Sequence, residues 1–383
     1  MKVRVLGSLC LIVLTSVCGW AQDKSTPKPD TASYTVTGLV LDGSNDPGQS
    51  ASDIQTLSND IINTGVKWVM LSTLWLYSEP NAPTSSCQPS QGPNCYCGPK
   101  AACHNYNFTT LDKYVNNLTA AGINVAIRFY IHPSWAGGNP CQGFCPGGGQ
   151  ILSNHMTTFS NNLYDLAYNM ATRYKGKVNM WAVWNEPDLG GFFSPQDLNA
   201  GGGYNTNEYM VLIQFPGSNA IRSVIPGATM IGPELYTPVG GGDENQCDDF
   251  GHCGTVYEWE AVMLDDFSGN FPVFSIHNYS NNPSGQLNAV QHMVNIEQTY
   301  GKTPPIWVTE FNYVGGTCSY SQNTLVSYLS TYYHSTIARS FYYALPDGGG
   351  QSCGYGLVMN KSYGWAQKVP LYSGYSNIVH SLP

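Results

Sequence analysis

Eight short apolar runs recur along the chain, separated by segments with helical spacing, and this alternation limits the possible fold more than any other feature. The runs are Val36–Leu41, Val66–Trp75, Ile123–Tyr130, Val178–Trp184, Thr229–Leu235, Phe271–His277, Pro305–Thr309 and Arg339–Ala344. Several are almost continuously apolar, as strands covered on both faces must be. Helical stripes lie between them: Ile54, Leu57, Ile61 and Ile62; then Phe108, Leu111, Val115 and Leu118 ahead of Gly122. Further stripes are Phe159, Leu163, Leu166 and Met170 behind a candidate cap at Ser153; Leu287, Val290 and Val294 before Gly301; and a looser set at Leu325, Leu329, Tyr332 and Ile337. Strand–helix alternation implies parallel strands with right-handed crossovers. Eight such units close most simply into a single α/β domain, a (β/α)8 TIM barrel. An open doubly wound sheet is the alternative, and its dinucleotide-binding form is weakened because no Gly-x-Gly-x-x-Gly follows the first run.

The ends of the chain and its cysteines point to export. Lys2 and Arg4 precede a broken apolar run, Val5–Val17, and Gly19-Trp20-Ala21 reads as a cleavage site. The run falls short of the ~20 apolar residues that span a bilayer. Residues 1–21 are therefore expected to be a signal peptide, 22–32 a flexible linker and 33–383 one catalytic domain, secreted or periplasmic and off the membrane once cleaved. Cys10 and Cys18 leave with the signal; the other ten of the 12 cysteines lie in Gly-, Pro- and Asn-rich segments. In an exported chain they read as disulfides pinning long βα loops. Cys95-Tyr96-Cys97 lacks metal-finger spacing and no His-Glu-x-x-His occurs, so neither a metal nor another cofactor is expected. A net charge of −9 cannot neutralise a phosphate backbone, which argues against nucleic acid. The expected partner is a carbohydrate substrate, met by a monomer rich in Tyr, Phe and Trp rings.

Two carboxyls follow apolar runs. Glu186 lies in Trp181-Ala-Val-Trp184-Asn185-Glu186-Pro187, after the fourth, and Glu310 in Trp307-Val-Thr309-Glu310-Phe311-Asn312, after the seventh. Either alone could be an ordinary loop carboxylate. In a barrel, however, reactive side chains stand at the C-terminal ends of strands, and closure would bring these two together. Glycoside hydrolysis needs such a pair: one carboxyl protonates the leaving oxygen, and the other attacks the anomeric carbon or activates water.

Trp184-Asn185-Glu186-Pro187 resembles the Asn-Glu-Pro signature of the clan A (4/7) retaining glycoside hydrolases, whose acid/base glutamate ends strand four and whose nucleophile ends strand seven. His277-Asn278-Tyr279 is similar to the clan's His-x-Tyr, and Tyr355-Gly-Leu-Val-Met with Lys368-Val-Pro370 to its last-strand region. The resemblance implies Glu186 as acid/base, Glu310 as nucleophile, Asn185 as donor to the sugar 2-hydroxyl and Tyr279 as support for the nucleophile. Two departures stand out. Many members carry an arginine near the end of strand two, where this chain has Leu71-Ser-Thr-Leu-Trp75; its nearest arginine, Arg128, either braces Glu310 or pairs with another acid. Many also place a tryptophan at strand eight, where Tyr342-Tyr343 stands here and Trp365 could substitute from a loop.

Trp75, Trp184 and Trp365 are candidate sugar platforms, with core packing as the competing account. Glu234, ending the fifth run, is a third inward carboxyl with a binding or structural role, and His277 joins the substrate-side set. Hydrolysis with retention requires Glu186 neutral while Glu310 is ionised, so their pKa values must be driven apart. It also requires carboxyl groups ~5–5.5 Å apart. The reading is a secreted retaining β-glycosidase, endo-acting because glycine-rich segments (147–149, 201–203, 240–242, 348–350) could border a groove. The alternative is a carbohydrate-binding barrel without catalysis, against which the presence of both glutamates counts.

Overall fold

The computed structural model describes residues 36–83, 95–100, 103–138, 150–189, 192–195, 206–237, 246–247, 253–254, 263, 268–280, 282–313, 324–325, 327–329, 337–347 and 355–381. The expected signal peptide and linker, residues 1–32, lie outside these, as do Cys87, Cys141, Cys145, Cys318, Cys353 and the four glycine-rich segments. Eight strands form a closed barrel: β1 (Val36–Leu41), β2 (Trp68–Leu74), β3 (Asn124–Tyr130), β4 (Met180–Val183), β5 (Thr229–Thr237), β6 (Val273–Ser280), β7 (Ile306–Tyr313) and β8 (Arg339–Tyr342). Each pairs in parallel with its sequence neighbours, and β1 closes against β8 with Val36 beside Arg339 and Leu39 beside Tyr342.

Four helices follow expected stripes, α1 (Ala51–Asn63), α2 (Thr109–Ala120), α3 (Met156–Tyr174) and α5 (Pro283–Tyr300), while α4 (Phe215–Val224) and α6 (Leu371–Ser381) form where no stripe was singled out. A capping box fixes the start of α1, where Ser50 accepts from the Asp53 amide and the Asp53 carboxylate accepts from the Ser50 amide. Asn282 caps α5, Pro283 opens it, and Gly301 ends it at φ +65°. Three expectations need correction. Ser153 does not cap α3, because Ser153–His155 tightens into a 3-10 turn and the helix begins at Met156. Ile62 is exposed, so the buried face of α1 is Ile54, Leu57 and Ile61. Ile337 is buried beside β8 rather than in a helix, and Tyr332 lies outside the described residues.

Two-residue alternation explains what fills the barrel. Val40, Met70, Ala126, Ala182, Ile231, Val273, Trp307 and Phe341, one from each strand, form a buried interior cluster. A larger cluster packs between sheet and helices. Two residues further along β1, β2 and β3, on the same inward face, come Asp42, Ser72 and Arg128. The interior therefore changes from apolar to polar toward the C-terminal end. Strands β6 and β7 run three and four residues past their expected ends, since their polar side chains are buried there among polar partners.

Candidate active site

Two bulges aim the acids inward. Between β6 and β7 the register passes from Ile276 beside Val308 to His277 beside Glu310, leaving Thr309 as the extra residue. Trp307 already faces the interior, so uninterrupted alternation would turn Glu310 outward; the bulge restores it to the cleft. Between β5 and β6 the register passes from Ser275 beside Pro233 to Ile276 beside Leu235, and Glu234 is the bulged residue. Its amide donates to Ser275 Oγ at 3.0 Å. Both carboxyls were expected at strand ends; they sit inside longer strands instead. Glu186 leaves β4 through a distorted turn, with Trp184 at φ +82° and Glu186 at φ +41°, and its amide donates to the Glu234 carbonyl at 3.0 Å. Left-handed backbone at non-glycine residues costs of order 1–3 kcal/mol each and persists where surrounding bonds impose it.

Arg128 settles the question left open by the sequence by doing both jobs. Its Nη2 donates to Glu310 Oε1 in a short bond, its Nη1 to Glu234 Oε2 at 2.9 Å, and Nε and Nη2 to Ser72 Oγ. His277 Nδ1 donates to Glu186 Oε1 at 2.6 Å, and its Nε2 meets Glu234 Oε2 at 3.0 Å. Arg128 and His277 approach to 2.9 Å and are held together by the Glu234 carboxylate between them. Tyr279 donates to Glu310 Oε2 at 2.6 Å.

Protonation follows from these contacts. Burial works against a charged His277, but Glu310, Glu186 and Glu234 around it outweigh burial and raise its pKa to about 10. Burial would also raise Glu234, yet His277 and Arg128 bring it down to about 2. Glu186 is raised, chiefly by burial and further by the Glu310 charge, against the opposing His277 contact. Of the carboxyls in this cluster Glu186 is the one whose surroundings favour a proton, and Glu234 the one whose surroundings disfavour it. Because His277 donates to Oε1, that proton belongs on Oε2.

Asp188, two residues on, is buried, accepts from the Tyr236 amide at 3.0 Å, and is pushed up to about 8 by burial. Its unfolded value is near 3.8, so between those limits the folded state holds a proton that the unfolded state has lost, and stability falls as pH rises from about 4 to about 8. Asp188→Asn should remove that slope, which urea unfolding at pH 5, 7 and 9 would show; an unchanged slope would assign the dependence to another group.

The cleft above this network has a volume of about 270 Å³ and is lined by Tyr130, Asn185, Glu186, Phe192, Tyr236, Tyr279, Glu310, Tyr343 and Tyr355. Of the expected site residues, Glu186, Glu310, Asn185 and Tyr279 reach it. Arg128, His277 and Glu234 lie behind them, buried, so they act on the reacting groups rather than line the cavity. The tryptophans are placed otherwise than expected. Trp75 is 1% exposed and donates through Nε1 to Glu79 Oε2; Trp184 is fully buried and donates to the Phe192 carbonyl. Trp365 is half-buried and donates to Asp53 at the start of α1. Their indole N–H groups serve internal acceptors, and tyrosines line the cleft instead. Phe192, Tyr130, Tyr236 and the inward Asp42 were not picked out by the sequence argument, although Asp42 follows an apolar run as Glu186 does, and Tyr355 entered it only through the last-strand resemblance.

Glu186, His277 and Glu310 each offer one ligand atom within 4.8 Å of the others, a spacing that could hold a metal ion. Arg128 already places a positive charge against Glu310, and His277 uses Nδ1 on Glu186, so the set is satisfied by protons and a guanidinium. Disulfide pinning is seen after β2, where Cys97 joins Cys103 across a hairpin of Cys95–Cys97 and Cys103–Asn105. Cys95 is also disulfide-bonded. Beneath this hairpin the buried His104 Nδ1 meets Glu79 Oε1 at 2.7 Å.

The closed eight-stranded barrel sets one glutamate after β4 and another in β7 around a single cleft, the layout of a glycoside hydrolase. Residues 157–366 match the glycosyl hydrolase catalytic core family, and the chain belongs to it. No curated protein matches the sequence. Among solved structures, the chain is similar to a family 39 glycoside hydrolase from the gut symbiont Bacteroides cellulosilyticus WH2, at 17% identity and TM-score 0.60 over 91% of this chain and 64% of that one. The chain thus spans just under two thirds of that enzyme. It is also similar to a glucosidase from Croceicoccus marinus (14%, TM-score 0.61, 93% and 69% covered). A third similar structure is the β-glucosidase of Pyrococcus furiosus (13%, TM-score 0.57, 93% and 96% covered). At such identities the likeness is one of fold.

Proposed function

We propose that this protein is an exported β-glycoside hydrolase that works with retention, Glu310 attacking the anomeric carbon and Glu186 serving as acid and then base. The observation that carries the reading is the spacing of the two carboxylates: an oxygen of each lies within 4.8 Å of the other. That supports direct attack, since an inverting pair stands ~6.5–9.5 Å apart to admit a water. In the first step Glu310, held by Arg128 and Tyr279, forms a bond to the anomeric carbon while Glu186 Oε2 gives its proton to the departing oxygen. Once Glu310 is an ester its charge is gone, the repulsion on Glu186 falls, and Glu186 can take a proton from the incoming water. Asn185 lines the cleft beside both groups, which suits a bond to the 2-hydroxyl.

The similar β-glucosidase structures favour β-glucosides as first substrates. A panel of aryl β-glycosides and soluble polysaccharides tests the activity. A 2-deoxy-2-fluoro β-glycoside with a good leaving group should label Glu310, found by peptide mass analysis after proteolysis; labelling elsewhere would displace it as nucleophile. Endo action is proposed on the glycine-rich segments alone, and products of mixed length, rather than monosaccharide, would establish it. Export is proposed from Lys2, Arg4 and the Gly19-Trp20-Ala21 site. No described helix is long and apolar enough to cross a membrane.

A further inference from the structure

Asp42 stands one residue beyond β1, inward-facing by alternation from Val40, and only half-buried. Two cleft phenols hold it from opposite sides. Tyr130 donates to Oδ1 at 2.8 Å and Tyr343 to Oδ2 at 3.3 Å. Each carboxylate oxygen can accept more than one bond, so both keep capacity for a further donor. Both phenols that hold it, Tyr130 and Tyr343, line the cleft beside Glu186 and Glu310, and Asp42 lies close enough to Arg128 and Glu310 to feel their charges. Around the barrel it stands two strands from Glu310 and three from Glu186. It is thus on the far side from the acid that protonates the leaving group. Nothing in the hydrolysis described above uses it.

We propose that Asp42 is a specificity-determining residue that binds hydroxyls of the reacting sugar remote from its anomeric carbon. This rests on the glycosidase reading and adds to it which group reads the ring. A sugar with its anomeric carbon at Glu310 and its leaving group toward Glu186 extends its remaining hydroxyls toward β8 and β1, where Tyr343 and Asp42 wait. A carboxylate fixed by two phenols is a pre-ordered double acceptor, and the nearby rings of Tyr279, Tyr343 and Tyr355, with centroids 5.7–6.2 Å apart, offer apolar walls for the C–H face. A site built to accept from a hydroxyl discriminates strongly against the sugar lacking it, because the acceptor is left dry.

The test is a hydroxyl-by-hydroxyl coupling measurement. kcat/KM is determined for wild type, Asp42→Asn and Asp42→Ala on the aryl β-glycoside that wild type cleaves fastest and on its 3-, 4- and 6-deoxy analogues. Asp42→Asn preserves shape, so it reports even if Asp42→Ala does not fold. Wild type should lose about 10–100-fold on one or two of the analogues. Asp42→Asn should lose about 10-fold or more on the parent glycoside, yet less than about 5-fold further on those same analogues. A merely structural Asp42 would weaken all substrates alike. Losses that add at every position, with wild type active, would overturn the subsite and leave the hydrolase standing. Wild type inert on every glycoside would overturn the hydrolase and the subsite together.

Discussion

Glu310→Ala should lower kcat by at least about 10⁵-fold on every glycoside, the scale seen when a covalent nucleophile is removed. Glu186→Ala should separate substrates by leaving group. Proton transfer is typically worth 10²–10⁴-fold, so an alkyl or sugar leaving group should lose that much, whereas a dinitrophenolate should lose little in the first step. Azide divides the two roles further. In Glu186→Ala it should speed breakdown of the intermediate and yield a glycosyl azide of retained configuration. In Glu310→Ala the shortened side chain leaves room for azide to attack the substrate itself, with inversion. Proton NMR of the first-formed product reads the anomeric configuration. Inversion in Glu186→Ala with retention in Glu310→Ala would mean that the assignments are exchanged.

Arg128→Met should cost about 3–5 kcal/mol of stability, because it leaves Glu234 and Glu310 buried without the guanidinium they share. The deficit should depend on pH. Glu234 has its pKa depressed to about 2, so the stabilisation it supplies is complete above its ordinary value of 4.5 and disappears as pH falls through about 2. Without Arg128 the native state takes up protons at higher pH. The gap between wild type and Arg128→Met should therefore be full at pH 7 and narrow toward pH 2. Denaturant titrations across that range would measure it, and a small, pH-independent gap would show that the cluster does not depend on Arg128 for its charge balance.

The barrel was legible because covered parallel strands have to be apolar, and all eight runs became strands with starts within two residues of those expected. Helix faces such as Leu111, Val115 and Leu118 were legible for the same reason at a different period. What escaped was set by irregular backbone. Strict alternation from Trp307 turns Glu310 outward, and only the Thr309 bulge, which has no composition signature, turns it back. Ring chemistry misled as well. Trp75 and Trp184 end apolar runs, but large rings there complete the layer between sheet and helices, while the polar cleft takes tyrosines whose hydroxyls can reach Asp42 and Glu310. The Arg128 ambiguity could not be resolved in one dimension, since its partners on β2, β5, β6 and β7 meet only through closure.

Ser72 and Arg128 are register partners on adjacent strands, and the serine hydroxyl receives two bonds from the guanidinium. Many barrels of the clan that the sequence resembles carry arginine near the end of strand two, the strand on which this chain has Ser72. What the cluster needs is a positive charge at one point in space, whichever strand carries it. The long side chain of Arg128 reaches that point from β3 because the facing residue on β2 is a small hydroxyl. Within this chain the two positions are coupled: arginine at both would crowd two guanidiniums into one site, and serine at both would leave Glu234 and Glu310 without their shared cation.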